Sequence, residues 1–105
     1  MRVVTPKRLS EFSRKHPKSK IPLLYWYEIV KDANWGSLTD IRADFRSVDY
    51  IGNNRYIFNI KGNDFRLVTI IILVSKKVYI RFIETHAEYD KINTKLVSCQ
   101  YSNFG

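Results

Sequence analysis

An α+β fold is what the 105-residue sequence predicts, and a change of hydrophobic period along the chain predicts it. Apolar residues of the first half recur at steps of three and four; from Val48 onward they alternate every second residue. A short apolar opening, Val3-Val4, precedes the helical part, so the order is strand, helices, then an antiparallel meander. This order predicts a twisted antiparallel or mixed sheet with two to three helices packed on one face.

Met1 to Thr5 is the expected opening strand, and Thr5-Pro6 supplies an N-cap with proline at the first helical position. Leu9 and Phe12 give this helix a narrow apolar stripe, and it ends around His16-Pro17. A second helix begins near Ile21-Pro22. Leu23, Trp26, Tyr27 and Val30 recur at i, i+3, i+4 and i+7, the spacing of one buried stripe, which makes Trp26 a core residue. Asn34 and Gly36 stop it. Ser37 followed by Asp40 caps a short third helix carrying Leu38, Ile41 and Phe45. Strands are expected over Arg55 to Lys61, Phe65 to Val74 and Lys77 to Thr85. Gly62-Asn63 forms the tip of the first hairpin, with glycine where a type II′ turn needs it. A single domain is expected to span 1–105, with about the last ten residues frayed.

Composition narrows the function classes. Hydrophobic residues make up 45% and charged residues 27%, a globular balance. The longest apolar run, Leu67 to Val74, is strand length and broken by Thr69, well short of the ~20 residues that span a bilayer. The opening residues lack the apolar core of a secretory signal, and Cys99 is the only cysteine, so no internal disulfide or CxxC knuckle is available. A soluble cytoplasmic protein with no membrane partner is the expectation. Lys and Arg total 18 against 10 Asp and Glu, for a net charge of +8. Within the first twenty positions, seven basic residues face only Glu11. Such an excess repels itself and is offset by a polyanionic partner; a basic surface that merely aids solubility is the plain alternative.

The first hairpin fixes a register. With Gly62-Asn63 as the loop, Ile60 opposes Phe65, Asn59 opposes Arg66 and Phe58 opposes Leu67. Apolar partners then share one face, while Asn59, Lys61, Asp64 and Arg66 share the other. A second hairpin turning at Ser75-Lys76 sets Leu73 against Val78, Ile71 against Ile80 and Thr69 against Phe82 on the core face. It also sets Ile70 against Arg81 and Arg66 against Thr85 on the open face. Lys61, Arg66 and Thr85 are thereby gathered at one end of the open face, with Arg55, Ile70 and Arg81 as a second row.

Arg66 interrupts an apolar strand that needs no charge. It either pairs with Asp64 or Glu84 or holds a guanidinium toward phosphate. Beyond the last strand, His86-Ala-Glu-Tyr-Asp-Lys-Ile92 concentrates groups able to move protons, stack on bases and carry charge. Taken singly, His86 is as well read as a structural histidine and Tyr89 as a core residue; His16 reads as structural. There is no zinc spacing, phosphate-cradling glycine loop, serine elbow or paired-carboxylate cluster, so any phosphate chemistry is expected to use no metal and no cofactor.

Three segments, Asn53-x-Arg55-Tyr-x-Phe-Asn-Ile-Lys-Gly-Asn63, Phe65-Arg66-Leu67-Val68 and Val78-Tyr-Ile-Arg81-x-x-x-Thr85-His86-Ala-Glu-Tyr-Asp-Lys-Ile92, resemble the HigB toxins of the RelE-like superfamily. The resemblance runs from the opening strand to about Ile92, and the closing Thr-His-Ala-Glu-Tyr-Asp-Lys-Ile is its most specific part. It implies a RelE-like, microbial-ribonuclease-type fold. It also implies the toxin of a type II toxin–antitoxin pair: a metal-independent endoribonuclease that cuts mRNA on the ribosome in the bacterial cytoplasm. The implied partners are a HigA-like helix-turn-helix antitoxin, through which operator DNA is met indirectly, the ribosome and mRNA. The implied catalytic residues are Arg66, His86 and Tyr89, with Lys61, Arg81, Lys91 and Arg55 as RNA contacts. Ile70-Ile71-Ile72 and Glu84 depart from the family's pattern. They leave open an attenuated toxin that mainly binds its antitoxin, alongside a non-catalytic RNA- or ribosome-binding module.

Overall fold

Alternation along the second half of the chain produces three long strands, and the helical first half is laid against one side of them. The computed structural model describes residues 1–62 and 64–85. Its elements are β1 (Arg2–Val4), α1 (Lys7–Lys15), a 3-10 turn at Pro17–Ser19, α2 (Lys20–Asp32) and α3 (Leu38–Asp44), then β2 (Asp49–Tyr50), β3 (Arg55–Ile60), β4 (Phe65–Ile72) and β5 (Lys77–Thr85). They form a five-stranded mixed sheet in the order β1-β5-β4-β3-β2. β1 runs parallel to β5, and the remaining pairs are antiparallel. The α+β architecture expected from the change of period is therefore present, with β2 as a short edge strand that periodicity did not reveal.

The helices form where the apolar stripes lie, although one cap differs. α1 begins after Pro6, whose carbonyl accepts from Leu9 N at 3.0 Å. Thr5 makes no side-chain cap; its φ of 63° is left-handed and its hydroxyl turns back to the Val4 carbonyl. On α2, Leu23, Trp26 and Val30 are buried as the stripe requires. α3 opens as expected, with Ser37 Oγ accepting from Asp40 N at 3.3 Å, and buries Ile41.

One core lies between the helices and the sheet. Tyr56, Phe58, Ile60, Phe65, Leu67, Ile71, Val78 and Ile80 supply the sheet side. Leu9, Leu23, Trp26, Val30, Trp35 and Ile41 supply the other. Phe58 is the aromatic hub: Trp26 and Phe45 meet it edge-on at 5.4 and 5.1 Å, and Trp35 lies nearly parallel at 6.4 Å. Trp35 belongs to this core, with its indole N–H donated to Asp44 Oδ2 at 2.8 Å. Thr69, the one hydroxyl facing the helices from mid-β4, is satisfied by donating to the Tyr56 carbonyl at 2.9 Å. Burial raises the pKa of the Tyr56 phenol above 10.0, helped by Tyr50, whose ring lies 4.9 Å away.

The first hairpin follows the expected register: Ile60 pairs Phe65, Asn59 pairs Arg66 and Phe58 pairs Leu67. Gly62 takes a φ of 63°, and Asp64 N donates to the Lys61 carbonyl across the turn. The second hairpin does not follow. Ile71 pairs Val78 and Thr69 pairs Ile80, so the turn is centred one residue earlier than expected, leaving Val74 exposed at its tip. Lys76, at φ 58°, closes this turn and anchors it through Nζ to the Trp35 carbonyl at 2.7 Å. A β-bulge follows. Val68 pairs Phe82 while Thr69 pairs Ile80, so Arg81 is the extra residue and everything beyond it changes face. Arg66 consequently opposes Glu84 rather than Thr85, and Thr85 opposes Phe65.

Replacing the hub tests this packing. Phe58→Ala is expected to lower unfolding free energy by about 3–5 kcal/mol in urea titrations. A loss below about 1 kcal/mol means that the rings around it repack without it.

Candidate active site

The face of the sheet away from the helices carries three cross-strand rows on β3, β4 and β5. Arg55, Ile70 and Tyr79 form one; Ile57, Val68 and Phe82 the next; Asn59, Arg66 and Glu84 the third. Burial of Phe58, Leu67 and Ile83 toward the helices forces their neighbours Asn59, Arg66 and Glu84 to the opposite side. Ile57 and Val68 are buried although neither belongs to the helix-side core, so the middle row is an apolar floor. It separates the Arg55 row from the Arg66 row.

The Arg66 row is the most polar part of this surface. Arg66 and Asn59 are half-buried and Glu84 is 8% exposed. A guanidinium on a central strand, beside an amide and a carboxylate, presents a planar fork of N–H donors of the kind that suits a phosphate or carboxylate. Asn59 Oδ1 is buried without a hydrogen-bond partner among the described residues. Of the two carboxylates open to Arg66 as partners, Asp64 is engaged by Lys61 at 3.0 Å, whereas Glu84 is the ladder partner.

The other expected site residues are placed unevenly. Lys61 sits in the turn just beyond this row, with its side chain 44% exposed and its φ at 54°. Its ion pair with Asp64 lies in solvent and is weak enough to yield to a phosphate. Arg55 is half-buried in the far row opposite Ile70, as expected. Arg81 is not in that row: as the bulge residue it is exposed, and Tyr79 takes its place opposite Ile70. The expected cluster of Lys61, Arg66 and Thr85 is likewise corrected, because the bulge turns Thr85 toward the side of Phe65. His86, Tyr89 and Lys91 lie outside the described residues, which end where β5 carries the Arg66–Glu84 pair. Among the described residues, no group of three or more His, Cys, Asp or Glu is arranged to hold a metal ion. No helix among them is long and apolar enough to cross a membrane.

Asn59 and Phe82 were missed as site-face residues of interest. Register alone puts Asn59 on the open face. The regular register expects Phe82 in the core, yet the adjacent apolar residues Phe82 and Ile83 cannot both face it, which is what a bulge resolves.

A mixed sheet with helices on one side and an arginine fixed on the other is consistent with the fold of the RelE-like toxins. A family model described as HigB_toxin, the RelE-like toxic component of a toxin–antitoxin system, matches residues 19–92, and the chain belongs to this family. Membership implies an antitoxin as counterpart. The mRNA interferase toxin HigB of Escherichia coli strain K12 is 32% identical over 93 residues, covering 86% of this chain and 88% of its own length. The mRNA interferase HigB of Escherichia coli O6:H1 is 28% identical over 94 residues, covering 88% of this chain and 91% of its own.

A double-mutant cycle of Arg66→Ala and Glu84→Ala in urea unfolding is expected to give coupling of roughly 0.2–1 kcal/mol across the ladder. Independent effects mean that the two are opposed without interacting.

Proposed function

We propose that this chain is an mRNA interferase: an endoribonuclease that cuts ribosome-bound mRNA in the bacterial cytoplasm and is the toxin of a type II pair. The observation that carries the reading is the place of Arg66, held on β4 on the face that the helices leave uncovered, between Asn59 and Glu84. The relatives named mRNA interferase, and the net charge of +8, support it.

The chemistry that suits these residues needs no metal. The 2′-oxygen of one ribose attacks the adjacent phosphorus as its proton passes to an acceptor. The new bond from 2′-oxygen to phosphorus forms as the bond from phosphorus to the 5′-oxygen breaks, and a donor protonates that oxygen. The products are a 2′,3′-cyclic phosphate and a 5′-hydroxyl. Arg66 supplies positive charge and paired N–H donors to the phosphorane, where charge builds up. His86 and Tyr89 are the proposed proton-transfer pair, and Tyr89 is also positioned in the sequence to stack on a base. Lys61 and Lys91 contact phosphates beside the cut, with Arg55 and Arg81 as outer contacts. Glu84 orients the guanidinium and moderates its charge. The counterpart is a HigA-like antitoxin with a helix-turn-helix domain, through which the complex reaches operator DNA.

Induced expression is expected to arrest growth of a bacterial host, and Arg66→Ala and His86→Ala each to relieve it while the protein remains folded. Arrest unchanged in Arg66→Ala overturns the site. Ribosome binding by the folded protein without any mRNA cleavage favours a non-catalytic module instead.

A further inference from the structure

Phe82 is 37% exposed although a core position lies one residue further along. The bulge at Arg81 causes this. Without the extra residue, the ladder that pairs Thr69 with Ile80 would place Phe82 among the helices and Arg81 on the open face. With it, Phe82 joins the open face, diagonal in the ladder to Arg66 and therefore roughly 7–8 Å from it. Bulges are over-represented beside active sites because they re-aim a side chain in this way.

A groove of about 220 Å³ runs along the same edge of β5. Phe82 and Ile83 form one wall; Arg8, Glu11, Phe12 and Lys15 of α1 form the other. It exists because β1 pairs β5 only from Lys77 to Tyr79, which leaves the outer edge beyond Tyr79 without a strand partner among the described residues. Arg8 is anchored at this edge by donating from Nη1 to the Arg81 carbonyl at 2.9 Å, a bond that uses one of its five N–H donors. The groove is smaller than the ~300–1,000 Å³ of pockets for drug-sized molecules. Its lining joins the apolar side chains of Phe12, Phe82 and Ile83 with the cations of Arg8 and Lys15. Glu11, the one carboxylate lining it, disfavours a phosphate inside but accepts from the exocyclic amine of a base.

Resting on the ribonuclease reading above, the geometry points to this groove as a nucleobase-stacking subsite for single-stranded RNA. Phe82 stacks a base near the phosphate held by Arg66, and Arg8 and Lys15 receive backbone phosphates on either side. An aromatic face bordered by basic side chains is the usual composition of such subsites.

The test is a titration of the full-length protein with a short 2′-O-methyl oligoribonucleotide, which has no 2′-hydroxyl and is not cut, and with an abasic strand of equal length. Phe82→Ala is expected to weaken binding of the first by roughly tenfold and to leave the abasic strand unaffected. Phe82→Trp is expected to retain binding and to lose fluorescence on adding the base-bearing strand only; Trp26 and Trp35, 1% and 2% exposed, give a constant background. Arg8→Ala and Lys15→Ala are expected to weaken both strands. Equal affinity of Phe82→Ala for the base-bearing strand, or equal quenching of Phe82→Trp by both strands, overturns the subsite. So does a Phe82→Ala variant that loses antitoxin binding but not RNA binding. Base-dependent quenching in a protein that cuts no mRNA on ribosomes leaves the subsite standing and removes the ribonuclease reading. Ribosomal cleavage with unchanged KM in Phe82→Ala does the reverse.

Discussion

Burial of Phe58 and Leu67 against Trp26 and the other helical side chains is the constraint from which the rest follows. The two residues are ladder partners, and each strand alternates. Once they face the helices, Asn59 and Arg66 have only the other side of the sheet available. A slip of one residue would carry the Arg66 guanidinium into the core and Leu67 into solvent, losing both burial and hydration together. The position of the one charge on β4 is thus maintained by apolar contacts on the far side of the strand. Arg66 itself adds the cost of burying its guanidinium to that choice.

The bulge at Arg81 completes the open face. It changes the side on which β5 displays its residues between Ile80 and Phe82, so that Glu84 arrives opposite Arg66 and Phe82 beside the apolar floor of Ile57 and Val68. The same irregularity exposes Arg81 and directs its carbonyl to Arg8, which ties the basic first helix to the sheet edge. A regular strand would have presented Arg81 to the open face and left Glu84 among helix-side residues, where a carboxylate is costly. The extra residue therefore removes a conflict as well as creating a surface.

Much of this was legible from residue order. The stripe of Leu23, Trp26 and Val30, the Ser37 cap, and the register of the Gly62 hairpin all rest on local rules that the tertiary structure does not override. The second hairpin was not legible, because the run from Ile70 to Leu73 is apolar at every position and carries no alternation to fix its register. The turn is centred one residue earlier than expected and a bulge follows, which takes Thr85 and Arg81 out of the rows expected for them. Thr5 misled for another reason: the sequence Thr5-Pro6 satisfies the capping rule, while the chain leaves β1 through a left-handed Thr5 that the rule does not anticipate. Of the candidate site, Arg66, Arg55 and Lys61 could be located by register. His86, Tyr89 and Lys91 follow the last described strand and rest on residue chemistry and on the family resemblance.

In the proposed reaction a neighbouring 2′-oxygen attacks a phosphate whose developing negative charge Arg66 stabilises. The chemical nature of the cut ends reports on it most directly. The measurement is mass spectrometry of fragments released from mRNA on programmed ribosomes by the purified protein after metal bound to it has been removed. The proposed reaction leaves fragments ending in 2′,3′-cyclic phosphate, with 5′-hydroxyl on the downstream pieces. Fragments bearing 5′-phosphate and 3′-hydroxyl ends, formed only after a divalent metal is restored to the protein, would contradict it.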